Sequence, residues 1–299
     1  MIRSAALALL GLAVSCRGGT SQAAQRFDGA QALRWVEYQV AAGPRIPNSA
    51  PHRAIGSWIE AELRRRADSV EVQTFTHVTA SGDTLRLRNL VARFRPADPN
   101  RVLFFAHWDS KPDAPQDPDP AKRSLPVPGA NDGASGVAVL LGVADELKRT
   151  PPTVGVDLLF VDGEDYGSFE CDYPDNLLGS RYFATHLPAG YRPLYAVLLD
   201  MVGDKDQQFP QEGNSLVRAP EIVDRVWTAA EELGLGRVFR PVRGIALTDD
   251  HIPLLDAGIH AIDLIDFEYP YWHTTADTPD KISAISLANV GRVVLYLVR

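Results

Sequence analysis

The chain reads as a single α/β domain built on a central mixed, mostly parallel β-sheet flanked by helices. Three observations predict this. Apolar, β-branched runs (VLFFAH, VDLLFVDG, LYAVLLDMVG, IHAIDLID) alternate with helical patterns, as in α/β sheets. Two segments of period two, SVEVQTFTHV and TLRLRNLVARFR, flank Ala80-Ser81-Gly82-Asp83 and read as a hairpin, which makes the sheet mixed. Three of the apolar runs stop abruptly at a carboxylate or an imidazole, and an open α/β sheet places its site at the carboxyl ends of its strands.

The chain has 299 residues, 45% hydrophobic and 23% charged, which suffices for one large core. The formal net charge is −8 and no basic block is present, so nucleic acid is not expected as a partner. Residues 1–16 read as a signal peptide. Arg3 precedes AALALLGLAV, an apolar run about half the roughly 20 residues a spanning helix needs. Ala13-Val14-Ser15-Cys16 resembles a bacterial lipobox, with Cys16 as the residue that would carry lipid; an ordinary cleaved leader is the alternative. The expected location is therefore outside the cytoplasm, periplasmic or anchored to the outer membrane through lipid alone. Residues 17–26 are small and polar and read as a tether, leaving 27–299 as the catalytic domain. Cys171 is the one other cysteine and reads as a loop residue, so no disulfide framework is expected.

Helical signals open the domain at DGAQALRWVEYQVAAG and APHRAIGSWIEAELRRR, the second with Pro51 near its start. The hairpin follows, then the strand VLFFAH. Residues 108–130 contain six prolines and read as a long functional loop. GASGVAVLLGVADELKR reads as a helix, VDLLFVDG as a strand, YGSFECDYPD as a loop and NLLGSRYFATHL as a helix. LYAVLLDMVG is a strand, and APEIVDRVWTAAEELG is an amphipathic helix closed by Gly234. ALTDDHIPLLDAG holds a short helix, IHAIDLID a strand, YPYWHTTAD a loop, and DKISAISLANVGRVVLYLV the last helix.

The candidate ligands are His107 in FFAHWDS, Asp132 in GANDGASG, Asp165 in FVDGEDYG, Asp200 in AVLLDMVGD and His273 in YPYWHTTADT, with Glu164 as general base. Each alone has an ordinary structural role, such as a helix cap for Asp132. Together they form a set of nitrogen and oxygen donors without thiolate, which suits a catalytic rather than a structural zinc. Two metals close together need a shared carboxylate, and five ligands suit that arrangement.

In this order the motifs resemble metallopeptidase family 28, the zinc aminopeptidases with the glutaminyl-peptide cyclases as a sister branch. The resemblance covers roughly residues 28–299 and implies the zinc exopeptidase (phosphorylase/hydrolase-like) fold. It implies Asp132 as a bridge, Asp165 and His273 completing one zinc site, His107 and Asp200 a second, and Asp109 orienting His107. One zinc is expected, with a second as an alternative. TDDHIPLL resembles the cyclase segment that carries a catalytic aspartate and maps it onto Asp250. DNLLGSRYF also resembles that branch. Trp272, with Tyr269 and Tyr271, suggests an aromatic wall for a neutral amide side chain. Asp165 departs from the cyclases, which usually carry Glu there. The resemblance thus implies a zinc-dependent cyclase converting N-terminal Gln of peptides to pyroglutamate with release of ammonia; the alternative is an aminopeptidase. Peptide N-termini are the expected partners under either reading.

Overall fold

The computed structural model describes residues 26–168 and 174–299. The leader with Cys16, the tether except for Arg26, and Cys171 lie outside the described residues.

The first two helix starts have a local cause. Asp28 accepts the Gln31 N–H at 2.8 Å and caps α1 (Gly29–Ala41). Ser49 caps α2 (Ala50–Arg64), whose first turn holds Pro51, where a missing N–H is harmless. The hairpin is β1 (Ser69–Val78) and β2 (Thr84–Phe94). Then come β3 (Arg101–His107), α3 (Ala134–Arg149), β4 (Gly155–Val161), α4 (Leu178–Thr185) and β5 (Ala196–Asp200). The remainder is β6 (Phe209–Gln211), α5 (Gly213–Arg218), α6 (Pro220–Glu232), β7 (Phe239–Arg243), α7 (His251–Asp256), β8 (Ala261–Ile265) and α8 (Ala284–Leu297).

The main sheet has the order β1-β2-β4-β3-β5-β8. β4, β3, β5 and β8 run parallel, while β1 and β2 are antiparallel to their neighbours. Every residue of the four parallel strands is buried, which is why they read as unbroken apolar runs; β1, at the edge, has no fully buried residue. α1, α3 and α8 pack on one another and α3 on β3; α4 and α7 pack together, α4 against β2 and β4 and α7 against β5 and β8. Gly136 lets α3 come close: a Cβ there would lie 2.3 Å from the Leu199 carbonyl oxygen. That contact sets the start of α3, and the loop before it, beside the end of β5.

The expected α/β domain, hairpin and parallel strands are all present. The small parallel pair β6–β7 and the short helix α5 were not foreseen. These elements have three to six residues, and Pro210 and Pro241 interrupt the two strands, so no periodicity could register.

At the end of the sheet where β3 and β4 begin, Arg101 donates to both oxygens of Asp157, at 2.7 and 2.6 Å, and the Tyr191 hydroxyl donates to Asp157 at 2.7 Å.

Candidate active site

The carboxyl ends of the parallel strands bring the candidate ligands together. His107 is the last residue of β3 and Asp200 the last of β5. Asp132 precedes α3, Glu164 and Asp165 follow β4, and His273 lies in the loop after β8. All six are nine-tenths or more buried. His107 Nε2 lies 3.1 Å from Asp132 Oδ1 and 3.2 Å from Asp200 Oδ1. His273 Nε2 lies 3.1 Å from Asp165 Oδ1 and 3.6 Å from Asp132 Oδ2. Asp132 therefore turns one oxygen to each histidine and belongs to two donor trios, His107–Asp132–Asp200 and Asp132–Asp165–His273. Met201 and His273 both adopt left-handed backbone, with φ of 45° and 51°. Such strain gathers at functional sites because surrounding packing must impose it.

The donor set fits a cation. Both carboxylate oxygens of Asp165 are buried and accept no hydrogen bond among the described residues. Only His273 Nε2 at 3.1 Å and Lys111 Nζ at 3.7 Å stand near its Oδ1, so the carboxylate retains room to bind a metal ion. Burial would lower the His107 pKa, yet Asp109, Asp132 and Asp200 around it hold it well above the imidazole range. His273 is likewise raised against its burial, chiefly by Asp165. Both shifts express a pocket of negative potential that calls for positive charge. Nitrogen and oxygen donors without sulfur are what a catalytic zinc takes.

Two carboxylates shape the loops that carry these ligands. Asp109 accepts the backbone N–H of Glu164 at 3.1 Å and of Asp165 at 3.2 Å. It stands 3.7 Å from His107 Nδ1, beyond hydrogen-bond distance, so its main hold is on the Glu164–Asp165 turn. Asp277 accepts the N–H of Asn131 at 2.9 Å and of Asp132 at 3.2 Å, and also the Tyr269 hydroxyl at 2.7 Å. Arg45, fully buried, donates to the carbonyls of Trp108, Pro128 and Gly129 at 3.0, 2.8 and 2.7 Å. Neither Asp277 nor Arg45 was foreseen as a support. Asp277 could have been suspected from its spacing after His273; Arg45 sits in a stretch with no motif.

A cavity of about 240 Å³ opens over the cluster. Its polar lining includes Asp132, Glu164, Asp200 and Asp249, and its apolar lining includes Met201, Leu247, Ile265, Phe267 and Trp272. Trp272 stacks on His273 with centroids 4.1 Å apart and meets Phe267 at 4.8 Å. The aromatic wall is thus Trp272 with Phe267. Tyr269 instead supports Asp277, and Tyr271 packs beside Lys281.

The two aspartates of TDDHIPLL face different ways. Asp250 is fully buried, does not line the cavity, and accepts a hydrogen bond from Ser180 of α4. Asp249 lines the cavity instead, because Asp250 occupies the cap position of α7, whose helical backbone turns its side chain toward α4. DNLLGSRYF accordingly contributes Ser180 as the partner of Asp250. Burial, then the charge of Asp165, pushes Glu164 well above the usual carboxylate range. Burial and Asp200 do the same to Asp249, and burial and Asp249 to Asp263.

An open α/β sheet whose carboxyl edge carries shared carboxylate and imidazole donors beneath a small cavity defines a metal-dependent exopeptidase-type domain. The chain belongs to peptidase family M28, whose model matches residues 89–298. A glutaminyl cyclase from Bacteroides thetaiotaomicron, solved with N-acetylhistamine, is 37% identical with a TM-score of 0.88, covering 91% of this chain and 98% of that one. A Zn-dependent exopeptidase from Parabacteroides distasonis is 39% identical with a TM-score of 0.86, covering 91% and 98%. The glutaminyl-peptide cyclotransferase of Bos taurus is 26% identical over 288 residues, covering 85% of this chain and 77% of the relative.

Proposed function

We propose that this chain is a zinc-dependent glutaminyl-peptide cyclotransferase, converting N-terminal Gln of peptides to pyroglutamate with release of ammonia. The observation that carries the reading is a cavity in which Glu164 and Asp249 face the donor cluster and Trp272 with Phe267 forms an apolar wall. Similarity to glutaminyl cyclases along nearly the whole domain supports it.

Asp132, Asp165 and His273 would hold one zinc, and His107 with Asp200, sharing Asp132, a second. Zinc bound there supplies Lewis-acid polarisation of the γ-amide carbonyl. The substrate's own α-amine attacks that carbon. Glu164 accepts the proton lost by the amine and returns it to the γ-nitrogen, whose bond to carbon breaks as ammonia leaves. Asp249, across the cavity, hydrogen-bonds the amine and the departing nitrogen. Trp272 and Phe267 cover the aliphatic part of the Gln side chain and exclude water. Asp165 is one methylene shorter than the Glu usual in cyclases, yet it comes within 3.1 Å of His273 Nε2, with Asp109 holding its backbone N–H.

One observation favours a second reading. Both donor trios are complete, which suits hydrolysis by an aminopeptidase. Two assays on one preparation separate the readings: ammonia from a Gln dipeptide and leucine from a Leu dipeptide. Ammonia release should exceed leucine release. Robust leucine release without ammonia would replace the cyclase with an aminopeptidase.

The sequence of residues 1–16 supports export with lipid on Cys16, and so a membrane contact through that anchor alone. Among the described residues no helix is long and apolar enough to cross a membrane. Mass spectrometry of the mature N-terminus tests the anchor: an unmodified terminus beyond Cys16 would indicate simple secretion.

A further inference from the structure

One wall of the cavity is an irregular segment rather than a strand or helix. Ala246, Leu247, Thr248 and Asp249 line the cavity, and the stretch from Gly244 to Asp249 belongs to neither β7 nor α7. Something must hold it, because irregular backbone has no ladder of its own.

Glu212, the residue before α5, is 2% exposed. Its Oε1 accepts the Leu247 N–H at 2.8 Å and the Asn214 N–H at 2.7 Å. Its Oε2 accepts the Ser215 N–H and the Ser215 hydroxyl, both at 2.6 Å, and lies 3.3 Å from His251 Nε2. Ser215 Oγ in turn accepts the Asp263 N–H of β8 at 3.0 Å. Around this carboxylate the segment is sewn to α5 by further bonds. Asn214 Nδ2 donates to the Leu247 carbonyl at 2.7 Å, and the Gly213 N–H to the Ile245 carbonyl at 2.8 Å. The fit is close, since a Cβ on Gly213 would lie 2.9 Å from Ala246 backbone.

A single buried carboxylate thus ties the cavity wall to the start of α5 and, through Ser215, to β8, with His251 of α7 lying beside it. Burial opposes its charge, but His251, Ser215 and the Asn214 N–H hold its pKa down at about 2, so it acts as a fixed anion. We propose that Glu212 is a positioning residue for the reaction: it sets the conformation of the Ala246–Thr248 wall and thereby aims Asp249 at the bound Gln side chain. This rests on the cyclase reading with Asp249 on the reacting face. Glu212 touches neither substrate nor the donor cluster and acts only through the segment it anchors.

Glu212→Gln keeps size but sets an amide N–H₂ against donors that now meet a carboxylate. Displacing a positioned group by about an ångström can cost on the order of 100-fold, so kcat for ammonia release should fall about tenfold or more. Zinc content and the circular dichroism spectrum should stay as in wild type. The decisive readout is a double-mutant cycle with Asp249→Asn. If Glu212 works through Asp249, the double variant should be no slower than Asp249→Asn alone, within about threefold. Independent effects that multiply would overturn the proposal, as would a Glu212→Gln kcat within about threefold of wild type. If Glu212→Gln does not accumulate as folded protein, Asn214→Ala removes another bond to Leu247; it should show the same non-additivity with a smaller loss, and multiplication there also overturns the proposal. Wild-type protein that releases leucine but no ammonia would defeat the cyclase reading separately, and the same cycle is then read on leucine release.

Discussion

Asp157 and Asp165 are both buried aspartates, one near the start of β4 and one just past its end, and they are treated oppositely by their surroundings. Asp157 receives two bonds from Arg101 and one from Tyr191. Asp165 accepts no well-formed hydrogen bond on its two oxygens among the described residues and meets only His273 Nε2 at 3.1 Å and Lys111 Nζ at 3.7 Å. A buried charge is tolerated only when paired, so the first is a structural fastening complete in the protein alone. The second has only the Lys111 ammonium and the His273 ring beside it, with both oxygens open to a metal ion. The same strand thus carries a stability device at one end of the sheet and a chemical one at the other.

That contrast can be broken or sharpened by substitution. The largest effect should come from Glu164→Gln, which keeps shape but cannot accept and return a proton. Turnover should fall on the order of 10²–10⁴-fold, with zinc and thermal stability retained, measured by ammonia release and calorimetry. A loss of only a few-fold would place the base elsewhere.

The next effect separates neighbours. Asp249→Asn should lower ammonia release at least about tenfold, because an acid–base partner near the reacting atoms is lost. Asp250→Asn should act mainly on stability, because its carboxylate faces Ser180. Steady-state kinetics beside melting curves for the two variants decide this, and equal kinetic losses would restore Asp250 as the functional residue.

At the other end of the sheet, Asp157→Asn should cost stability on the order of 3–5 kcal/mol, since it strands the buried Arg101 guanidinium. Activity per folded molecule and zinc content should not change. Urea unfolding beside an active-fraction assay checks it. A smaller effect is expected at the cavity wall: Trp272→Leu should raise KM for Gln peptides more than it lowers kcat, since it removes aromatic cover but no proton carrier.

How much of this was legible in sequence follows from how each feature is encoded. The strands and ligands were readable because a buried parallel strand is an apolar run, and His107 and Asp200 end such runs. Two supports, Arg45 and Glu212, were invisible. Their work is done on backbone N–H and carbonyl groups of distant loops, which no residue type announces. Asp109 was legible as a partner of the site, but its hold on the Glu164–Asp165 turn required coordinates. The difference between Asp249 and Asp250 was not legible in sequence because adjacent carboxylates differ only in which way the start of α7 turns them.

The central claim is that the buried carboxylates gathered with His107 and His273 at the carboxyl edge of the sheet hold zinc and that Asp157, paired with Arg101 at the opposite edge, does not. Metal analysis by inductively coupled plasma mass spectrometry tests it on three purified proteins: wild type, His273→Ala and Asp157→Asn. The account predicts bound zinc in wild type and in Asp157→Asn, and loss of zinc from His273→Ala. Equal, stoichiometric zinc in wild type and His273→Ala would contradict it.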